Sequence, residues 1–391
     1  MIETSEQFSA VDKLEQWYRD YKHQVIDLCG GVGTGKFEII KEFIDRIGFK
    51  EFQVMFVSEN QSTVINLALK QKHAYYLDSV LYSYYKKTDF STLRAVNPES
   101  NELKFKWIKE RNKKINKSYR IIIVLDAELC SLKKIKHLMD FKVPIILVGD
   151  QIAVGTSNSY LKLHEPNILV TGVTPLNQKN PLIHFIQKII NLETIPYGNF
   201  KSVTVLKKQD TNIYNFKFSD IIIVENEDSA KSVNKLYREN IMKFKTRINH
   251  VGERLILTEN SHHFLENRTE NKIKFYLDKY TTGTITRIDL HGANRKYVSI
   301  SFKPDCYSEE FIENIWLDRF FLNDFYNRSI QYNYYPPLKF SFGYAIPVIA
   351  AQFSQWNDIT IIEEPYDDWA YHSRVLYTSM KAAKKSVILI R

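Results

Sequence analysis

Residues 25–36 read Val-Ile-Asp-Leu-Cys-Gly-Gly-Val-Gly-Thr-Gly-Lys, and this stretch decides the fold. The apolar run at 25–28 predicts a buried strand, and the amphipathic run at 37–47 predicts the helix that follows it. Strand, glycine-rich loop and helix in this order match the phosphate-binding pattern G-x-x-x-x-G-K. Glycines let the backbone N–H groups curl around a phosphate, and the lysine reaches the terminal phosphates. The segment therefore predicts a nucleotide-binding P-loop.

One position of this loop departs from the usual pattern. Phe37 stands where a Ser or Thr hydroxyl normally holds Mg²⁺. The sequence thus predicts nucleotide binding and leaves the placement of the metal open. The residues expected around the nucleotide are Gly30, Gly31, Gly33, Thr34, Gly35, Lys36 and Phe37.

Apolar strand-like runs alternate with helical stretches through the first half of the chain, which predicts an α/β fold with a parallel sheet. A second α/β unit is expected from about residue 200. Short β-like periodicity interrupts it from residue 250, and a charged, polar stretch at 86–117 predicts a hairpin inserted in the first unit. The predicted domains are 1–198, then 199–249 together with 336–391, with an inserted β module at 250–335.

Composition narrows the class of protein further. The 391 residues carry 54 basic and 45 acidic side chains, a net charge of +9, which favours a polyanionic partner such as nucleic acid. A Lys-rich composition also arises in AT-rich genomes, so the charge alone leaves the partner open. Aromatic residues make up 14% of the chain, and exposed ones are candidates for stacking on bases, with core packing as the alternative.

Other general features indicate a cytoplasmic protein. The sequence contains no apolar run of membrane-spanning length and no secretory signal pattern, so no membrane partner is expected. The three cysteines are far apart in sequence and form no metal-ligand pair, which predicts buried, reduced thiols.

The segments around the P-loop follow a recognisable order. They are T-S-E-Q at 4–7, V-S-E-N at 57–60, Y-L-D-S-V-L at 76–81, I-I-V-L-D-A-E-L at 122–129, I-L-V-G-D-Q-I-A-V at 146–154, L-N-Q-K-N-P at 176–181, V-G-E-R-L-I-L-T-E-N at 251–260, G-Y-A-I-P-V-I-A-A-Q-F-S at 343–354 and L-Y-T-S-M-K-A-A-K-K at 376–385. In this order they resemble the motifs of a superfamily 1 DNA helicase of the RecD/Dda type. The resemblance covers nearly the whole chain. It implies two RecA-like P-loop domains in tandem, a β-hairpin 1B insertion and an SH3-like 2B insertion.

The resemblance also implies roles for individual residues. Gln7 would read adenine, Asp126 would hold Mg²⁺ through water, and Gln151 would take part in catalysis together with Lys36. Lys179 and Lys381 lie at or beside the positions of phosphate-contacting arginines. Single-stranded DNA would contact Ser58, Asn60, Ser79 and Gln352, and in the hairpin Phe105 and Trp107, for which a solvated charged face is the equal alternative.

Several catalytic positions depart from the helicase pattern. Ala127 replaces the glutamate that orients the attacking water, although Glu128 is one place along and would reach the water if the loop bulges. Ala382 replaces the arginine finger, and Pro347, Ile349 and Ala350 replace polar residues of the segment at 343–354. The chain is therefore expected to bind ATP and single-stranded DNA with weak or absent motor activity.

Two alternatives accompany this expectation. In the first alternative the chain is a pseudo-helicase, which means a non-hydrolysing DNA-binding or scaffold subunit of a larger nuclease or defence complex. Otherwise a protein partner would supply the missing arginine in trans.

Overall fold

The computed structural model describes residues 2–70, 72–87, 106–112, 114–155, 158–244, 250–259, 264–266, 274–276, 279–291, 297–306, 315–318, 340–365 and 368–391. Helices within this part of the chain are all too short or too polar to cross a membrane.

The first half forms a parallel sheet flanked by helices. Its elements are α1 (Ser5–Asp20), β1 (Val25–Gly30), α2 (Lys36–Ile47), β2 (Val54–Ser58), α3 (Gln61–Ala68), β3 (Ala74–Tyr76), α4 (Leu77–Leu81), β4 (Tyr82–Lys87), β5 (Lys106–Arg111), β6 (Ile121–Leu125), α5 (Leu132–Met139), β7 (Ile145–Gly149), β8 (Ile168–Val170), α6 (Pro175–Gln178) and α7 (Pro181–Ile190). The six strands of the sheet lie in the order β3-β2-β6-β7-β1-β8, and all their pairings are parallel.

Helices cover this sheet on both faces, which explains its continuous apolar strands. In β6, Ile121 and Ile123 face one hydrophobic core with α1 and α2, while Ile122 and Val124 face a second core with α4 and α5. Successive side chains of a strand point to opposite faces, so a strand with both faces covered is apolar at every position. The sheet therefore places the carboxyl ends of its strands at one edge, where the P-loop follows β1.

The second half builds a further sheet from the strands of two chain segments. Its elements are β9 (Gly198–Phe200), β10 (Val203–Leu206), β11 (Ile221–Val224), α8 (Glu227–Asn240), β12 (Arg254–Leu257), β13 (Phe264–Glu266), β14 (Lys274–Tyr276), β15 (Thr282–His291), β16 (Tyr297–Pro304), β17 (Ile315–Asp318), β18 (Phe340–Phe342), β19 (Ala345–Pro347), α9 (Val348–Ala351), β20 (Trp356–Ile362), α10 (Trp369–Lys381) and β21 (Ala383–Ile390). The sheet order is β19-β11-β20-β21-β10-β9, with only the β9–β10 pairing antiparallel among these strands.

Between β11 and β19 the chain forms an antiparallel sheet in the order β17-β16-β15-β12-β18. Sequence analysis assigned Phe340 to the returning second α/β unit, and this assignment is wrong: β18 pairs with β12, so the parallel sheet resumes only at Ala345. The physical reason is that Phe340 buries its ring beside Phe302 in the core of the antiparallel sheet. The SH3-like character of this sheet stays a prediction, as do the other domain limits.

The hairpin predicted at 86–117 falls partly outside the described residues. Strands β4 and β5 pair antiparallel, with Tyr82 opposite Arg111, so the pairing starts before the predicted interval.

A shared hydrophobic core joins the two halves. Helix α7, which follows the first sheet, packs the buried side chains of Phe185, Ile186 and Ile189 against strands of the second sheet and against α10. This core holds α10 close to the edge of the first sheet, where the P-loop lies.

The core of the first half yields a stability prediction. Phe43 on α2 is fully buried, with its ring 6.1 Å from that of Tyr18 and 6.2 Å from that of Phe49. Phe43→Ala should lower the free energy of unfolding by about 3–5 kcal/mol, because it removes a buried ring and leaves a cavity. Urea denaturation measures this loss. The control Phe52→Ala removes a ring that is 48% exposed, and equal losses in the two variants would contradict the assignment of Phe43 to the core.

Candidate nucleotide site and nucleic-acid groove

The P-loop connects β1 to α2 in the backbone geometry that its glycines permit. Gly33 and Gly35 have φ angles of 81° and 76°, in the left-handed region, and Gly35 is the N-cap of α2. A Cβ added at Gly35 would lie 2.2 Å from Nε2 of Gln7. Lys36 folds back over the loop, and its Nζ donates hydrogen bonds to the carbonyl oxygens of Gly30 at 2.7 Å and Gly31 at 2.8 Å. Burial lowers the pKa of Lys36.

Gln7 braces the P-loop from α1. Its side chain is fully buried, its Oε1 accepts from the backbone N–H of Glu3 at 2.7 Å, and its Nε2 donates to the carbonyl of Thr34 at 3.1 Å. Thr4 completes a capping box with Gln7 at the start of α1. The role of Gln7 in reading adenine stays a prediction, since in this structure the amide holds the loop.

Helix α6 supports the loop from the opposite side. The side-chain Nδ2 of Asn177 and the backbone N–H of Thr174 both donate to the carbonyl of Gly33, each at 3.0 Å. Lys179, predicted to contact phosphate, is exposed at the C-cap of this helix. The residue that contacts the loop is therefore Asn177, two positions earlier, which sequence analysis did not single out.

Tyr377 on α10 joins the second half directly to the P-loop. Its side chain is fully buried, its hydroxyl accepts from the backbone N–H of Val32 at 2.8 Å, and the same hydroxyl donates to Oδ2 of Asp150. Tyr377 is not among the site residues that the sequence predicts. Burial, followed by the charge of Asp150, raises the pKa of Tyr377, so the hydroxyl keeps its proton at neutral pH and can donate it.

Lys381, one turn further along α10, enters the same cluster. Its Nζ lies 3.0 Å from Oε1 of Glu128 and 3.4 Å from Oδ2 of Asp150. Burial opposes the charge on Lys381, but the two carboxylates outweigh it and raise the pKa of Lys381 well above its usual value. Burial likewise raises the pKa of Asp150, and the charges of Lys381 and Lys36 more than reverse this, so the pKa of Asp150 is lowered. Lys381 and Asp150 are therefore both charged at neutral pH.

Other residues of α10 clamp the loop that follows β7. Arg374 donates from Nε to the carbonyl of Ile152 at 3.1 Å, and the backbone N–H of Val154 donates to Oγ1 of Thr378 at 2.9 Å. Arg374, Thr378 and Lys381 recur at the spacing of one helix face. Polar residues at this spacing in a largely apolar helix are the sequence feature from which this contact could have been predicted.

Glu128 and Gln151, both predicted to be catalytic, have intramolecular partners. Glu128 is buried, and besides its contact with Lys381 its Oε2 accepts from the backbone N–H of Asp150 at 3.1 Å. Nε2 of Gln151 donates to the carbonyl of Leu161 at 2.7 Å. Their catalytic roles stay predictions.

Asp126, the predicted Mg²⁺ ligand, is held by hydroxyl groups of the first half. It adopts the left-handed conformation with φ 52° and ψ 43°. Its Oδ2 accepts from Oγ of Ser58 at 3.0 Å and from Oγ1 of Thr63 at 2.6 Å. With Phe37 in place of a hydroxyl, these residues do not fit Mg²⁺ bound in the usual P-loop manner. Nor does the described part of the chain contain a group of three or more His, Cys, Asp or Glu side chains placed to hold a metal ion.

Three of the residues predicted to contact DNA, Ser58, Asn60 and Gln352, lie where the two halves meet, and Oγ of Ser58 accepts from the backbone N–H of Asn60 at 2.9 Å. Nδ2 of Asn60 donates to the carbonyl of Gln352 at 3.2 Å, and Oε1 of Gln352 accepts from the backbone N–H of Gly155 at 2.9 Å. Ser79 donates to the carbonyl of Tyr76 at 2.6 Å. Phe105 lies outside the described residues, and Trp107 is described only as a position of β5. The structure thus brings Ser58, Asn60 and Gln352 together by hydrogen bonding.

A cavity of about 230 Å³ opens next to this junction, with walls from both halves and from the antiparallel sheet. Lys134 at its wall forms ion pairs with Glu59 at 2.5 Å and Asp78 at 2.7 Å. The ring of Tyr280 lies 5.7 Å from that of Phe353, and Nζ of Lys279 lies 4.6 Å above the Tyr280 ring. We call this cavity, together with the junction beside it, the groove. Proteins that bind single-stranded nucleic acid generally combine aromatic rings and basic side chains in one groove.

The Tyr377 contact yields a second stability prediction. Tyr377→Phe should lower the free energy of unfolding by about 1–3 kcal/mol, because the Val32 N–H and the Asp150 carboxylate each lose a buried partner. Urea denaturation measures the change, with Tyr197→Phe, at a residue that is 51% exposed, as the control. A Tyr377→Phe protein as stable as the wild type would show that the hydroxyl does not join the two halves.

Comparisons with known proteins identify the fold. No protein-family model matches the chain, and no curated protein sequence matches it either. Among solved structures, the chain is similar to one describing DNA unwinding at forked double-stranded DNA by two coordinating Pif1 helicases, with a TM-score of 0.50 and 10% identity. It is equally similar to Pif1 helicase from Bacteroides in complex with ADP-AlF3 and single-stranded DNA, with a TM-score of 0.50 and 12% identity. Each match covers 100% of this chain and 92% of the other. The chain therefore has the fold of these Pif1 structures, and its two parallel sheets fit two RecA-like domains.

Proposed function

We propose that this protein binds ATP at the P-loop and single-stranded DNA in the groove between its halves, with motor activity that is weak or absent in the isolated chain. The observation that carries the proposal is that Tyr377 of α10 contacts both the P-loop and Asp150, while Lys381 of the same helix contacts Asp150. A nucleotide at Lys36 would lie between the two halves, so both would respond to its binding. A structure of the same fold, Pif1 helicase from Bacteroides in complex with ADP-AlF3 and single-stranded DNA, is a precedent for binding both ligands.

The usual contributions of an arginine finger and of a catalytic acid or base to the rate of ATP hydrolysis support slow turnover. An arginine finger contributes about 10³–10⁵ to turnover, and a positioned acid or base contributes about 10²–10⁴. Ala382 and Ala127 stand at these positions, and both are buried, at 2% and 1% exposure. A single loss of about 10⁴ would reduce a turnover of about 10² s⁻¹ to about 10⁻² s⁻¹. Such a rate is too slow for stepping along a strand.

The second candidate function is a non-hydrolysing DNA-binding or scaffold subunit of a larger nuclease or defence assembly. It is favoured by the engagement of Glu128, whose carboxylate accepts hydrogen bonds from Lys381 and from the Asp150 N–H. A partner that supplies an arginine in trans is the third possibility, and it would raise turnover only when the partner is present.

Nucleotide binding and turnover provide the first test. Lys36→Ala should weaken binding of fluorescently labelled ATP by at least about tenfold, because it removes the charge that reaches the terminal phosphates. Lys41→Ala, at an exposed lysine of the same helix, is the matched control and should bind as the wild type does. With single-stranded DNA present, wild-type turnover should stay near or below about 10⁻² s⁻¹. Rapid turnover that Lys36→Ala abolishes would identify an active motor and contradict this part of the proposal.

Nucleic-acid binding in the groove is tested at Lys279. Lys279→Ala should weaken binding of labelled single-stranded DNA and reduce the salt dependence of log K by about 0.7, the effect of one phosphate contact. Lys231→Ala is the matched control, since each lysine lies near one acidic residue, Lys279 at 3.5 Å from Glu227 and Lys231 at 3.1 Å from Asp228. Fluorescence anisotropy over a salt series measures both quantities. Identical salt slopes for the two variants and the wild type would place the DNA elsewhere.

A further inference from the structure

Of the oxygen donors that normally hold Mg²⁺ beside a P-loop, the hydroxyl is missing in this site and one carboxylate oxygen accepts hydrogen bonds from other side chains. In P-loop proteins the Ser or Thr after the lysine and an acidic residue after a neighbouring strand hold the metal. Here position 37 is phenylalanine, whose ring is 39% exposed and lies 6.4 Å from the ring of Phe56. The side chain at this position packs against an aromatic neighbour and has no oxygen to offer.

Asp126 is directed toward the first sheet and α3. The carboxylate oxygen Oδ2 already accepts two hydroxyl hydrogen bonds, from Ser58 and Thr63. A P-loop hydroxyl would ordinarily lie beside this carboxylate in the metal site. With that hydroxyl absent, the structure gives Asp126 the role of joining β2, α3 and the end of β6.

Lys381 forms ion pairs with the other two carboxylates near the loop, those of Glu128 and Asp150. Its ammonium group lies between Glu128 at 3.0 Å and Asp150 at 3.4 Å, next to the hydroxyl of Tyr377. The charges of Lys381 and Lys36 also act on each other and on Asp150, so both lysines belong to one cluster around the loop. Lys381 therefore adds a second ammonium group to the cluster around the loop, beside two carboxylates.

We propose that this P-loop binds a nucleoside triphosphate as the metal-free anion, with Lys381 and Lys36 neutralising its phosphates. The inference rests on the proposed nucleotide binding and deepens it by naming the form of the ligand. Mg²⁺ requires a near-octahedral set of oxygen ligands, usually one or two carboxylates together with phosphates. Phe37 contributes no oxygen to such a set, and Oδ2 of Asp126 already accepts two hydrogen bonds. Lysine, by contrast, needs no coordination geometry and acts on phosphate as a point charge.

Binding of fluorescently labelled ATP to the full chain, in excess EDTA and in excess Mg²⁺, tests the proposal. The wild-type affinity for ATP in EDTA should be at least as high as the affinity in Mg²⁺, allowing a difference of about threefold between the two measurements. Phe37→Thr restores a hydroxyl at a half-exposed position, so it should fold and should shift the affinity ratio in favour of Mg²⁺ by at least about fivefold.

Lys381→Met tests the lysine itself. It should weaken binding in EDTA by at least about tenfold, whereas Lys384→Met, at an exposed lysine of β21, should not. Thermal unfolding of each variant verifies that it is folded, and the Phe37→Thr measurement stands by itself if Lys381→Met is not.

The outcomes separate this inference from the proposed function. Wild-type affinity that rises tenfold or more with Mg²⁺, or a Phe37→Thr protein with an unchanged ratio, overturns metal-free binding and leaves nucleotide binding intact. No binding in either buffer overturns the proposed function together with this inference. Metal-free binding is supported if the wild type binds ATP equally well in the two buffers and Phe37→Thr gains a preference for Mg²⁺.

Discussion

The hydroxyl of Tyr377 makes the contact on which the rest of the site depends. It accepts from the Val32 N–H of the P-loop and donates to Asp150, so one buried group joins two loops of the first half to a helix of the second. The shared core of α7, α10 and the second sheet holds this hydroxyl in place. A ligand at the P-loop would therefore lie against α10, so the proposed nucleotide binding would be coupled to the arrangement of the two halves.

Three alanines stand where the helicase resemblance implies polar or charged residues, and all three belong to hydrophobic cores. Ala127 belongs to the core between the first sheet and α5, while Ala350 and Ala382 belong to the core shared by both halves. All three are at least 98% buried. Charged side chains at these positions would require the neighbouring side chains to move, since protein interiors leave little free volume. At these three positions the core is packed around a small apolar side chain.

Individual site residues were partly predictable, but their partners were not. The P-loop glycines, Lys36, Asp126 and Lys381 follow from local patterns, because each pattern is contiguous in sequence. The pairing of Lys381 with Glu128 spans 253 positions, and that of Tyr377 with Asp150 spans 227. No spacing rule connects residues so far apart. Predicted site residues such as Gln7 and Gln151 also proved to have structural partners that a motif does not reveal.

The sequence by itself determined the strand, loop and helix of the P-loop, the parallel α/β character of both halves and the resemblance to superfamily 1 helicases. These follow from short-range causes: glycine conformations, apolar periodicity and helix capping. Only the tertiary structure decided that β18 pairs with β12, that Asp126 binds Ser58 and Thr63, and that Lys381 lies between two carboxylates. Long-range packing determines such contacts, because it alone sets which buried polar groups meet and must satisfy one another.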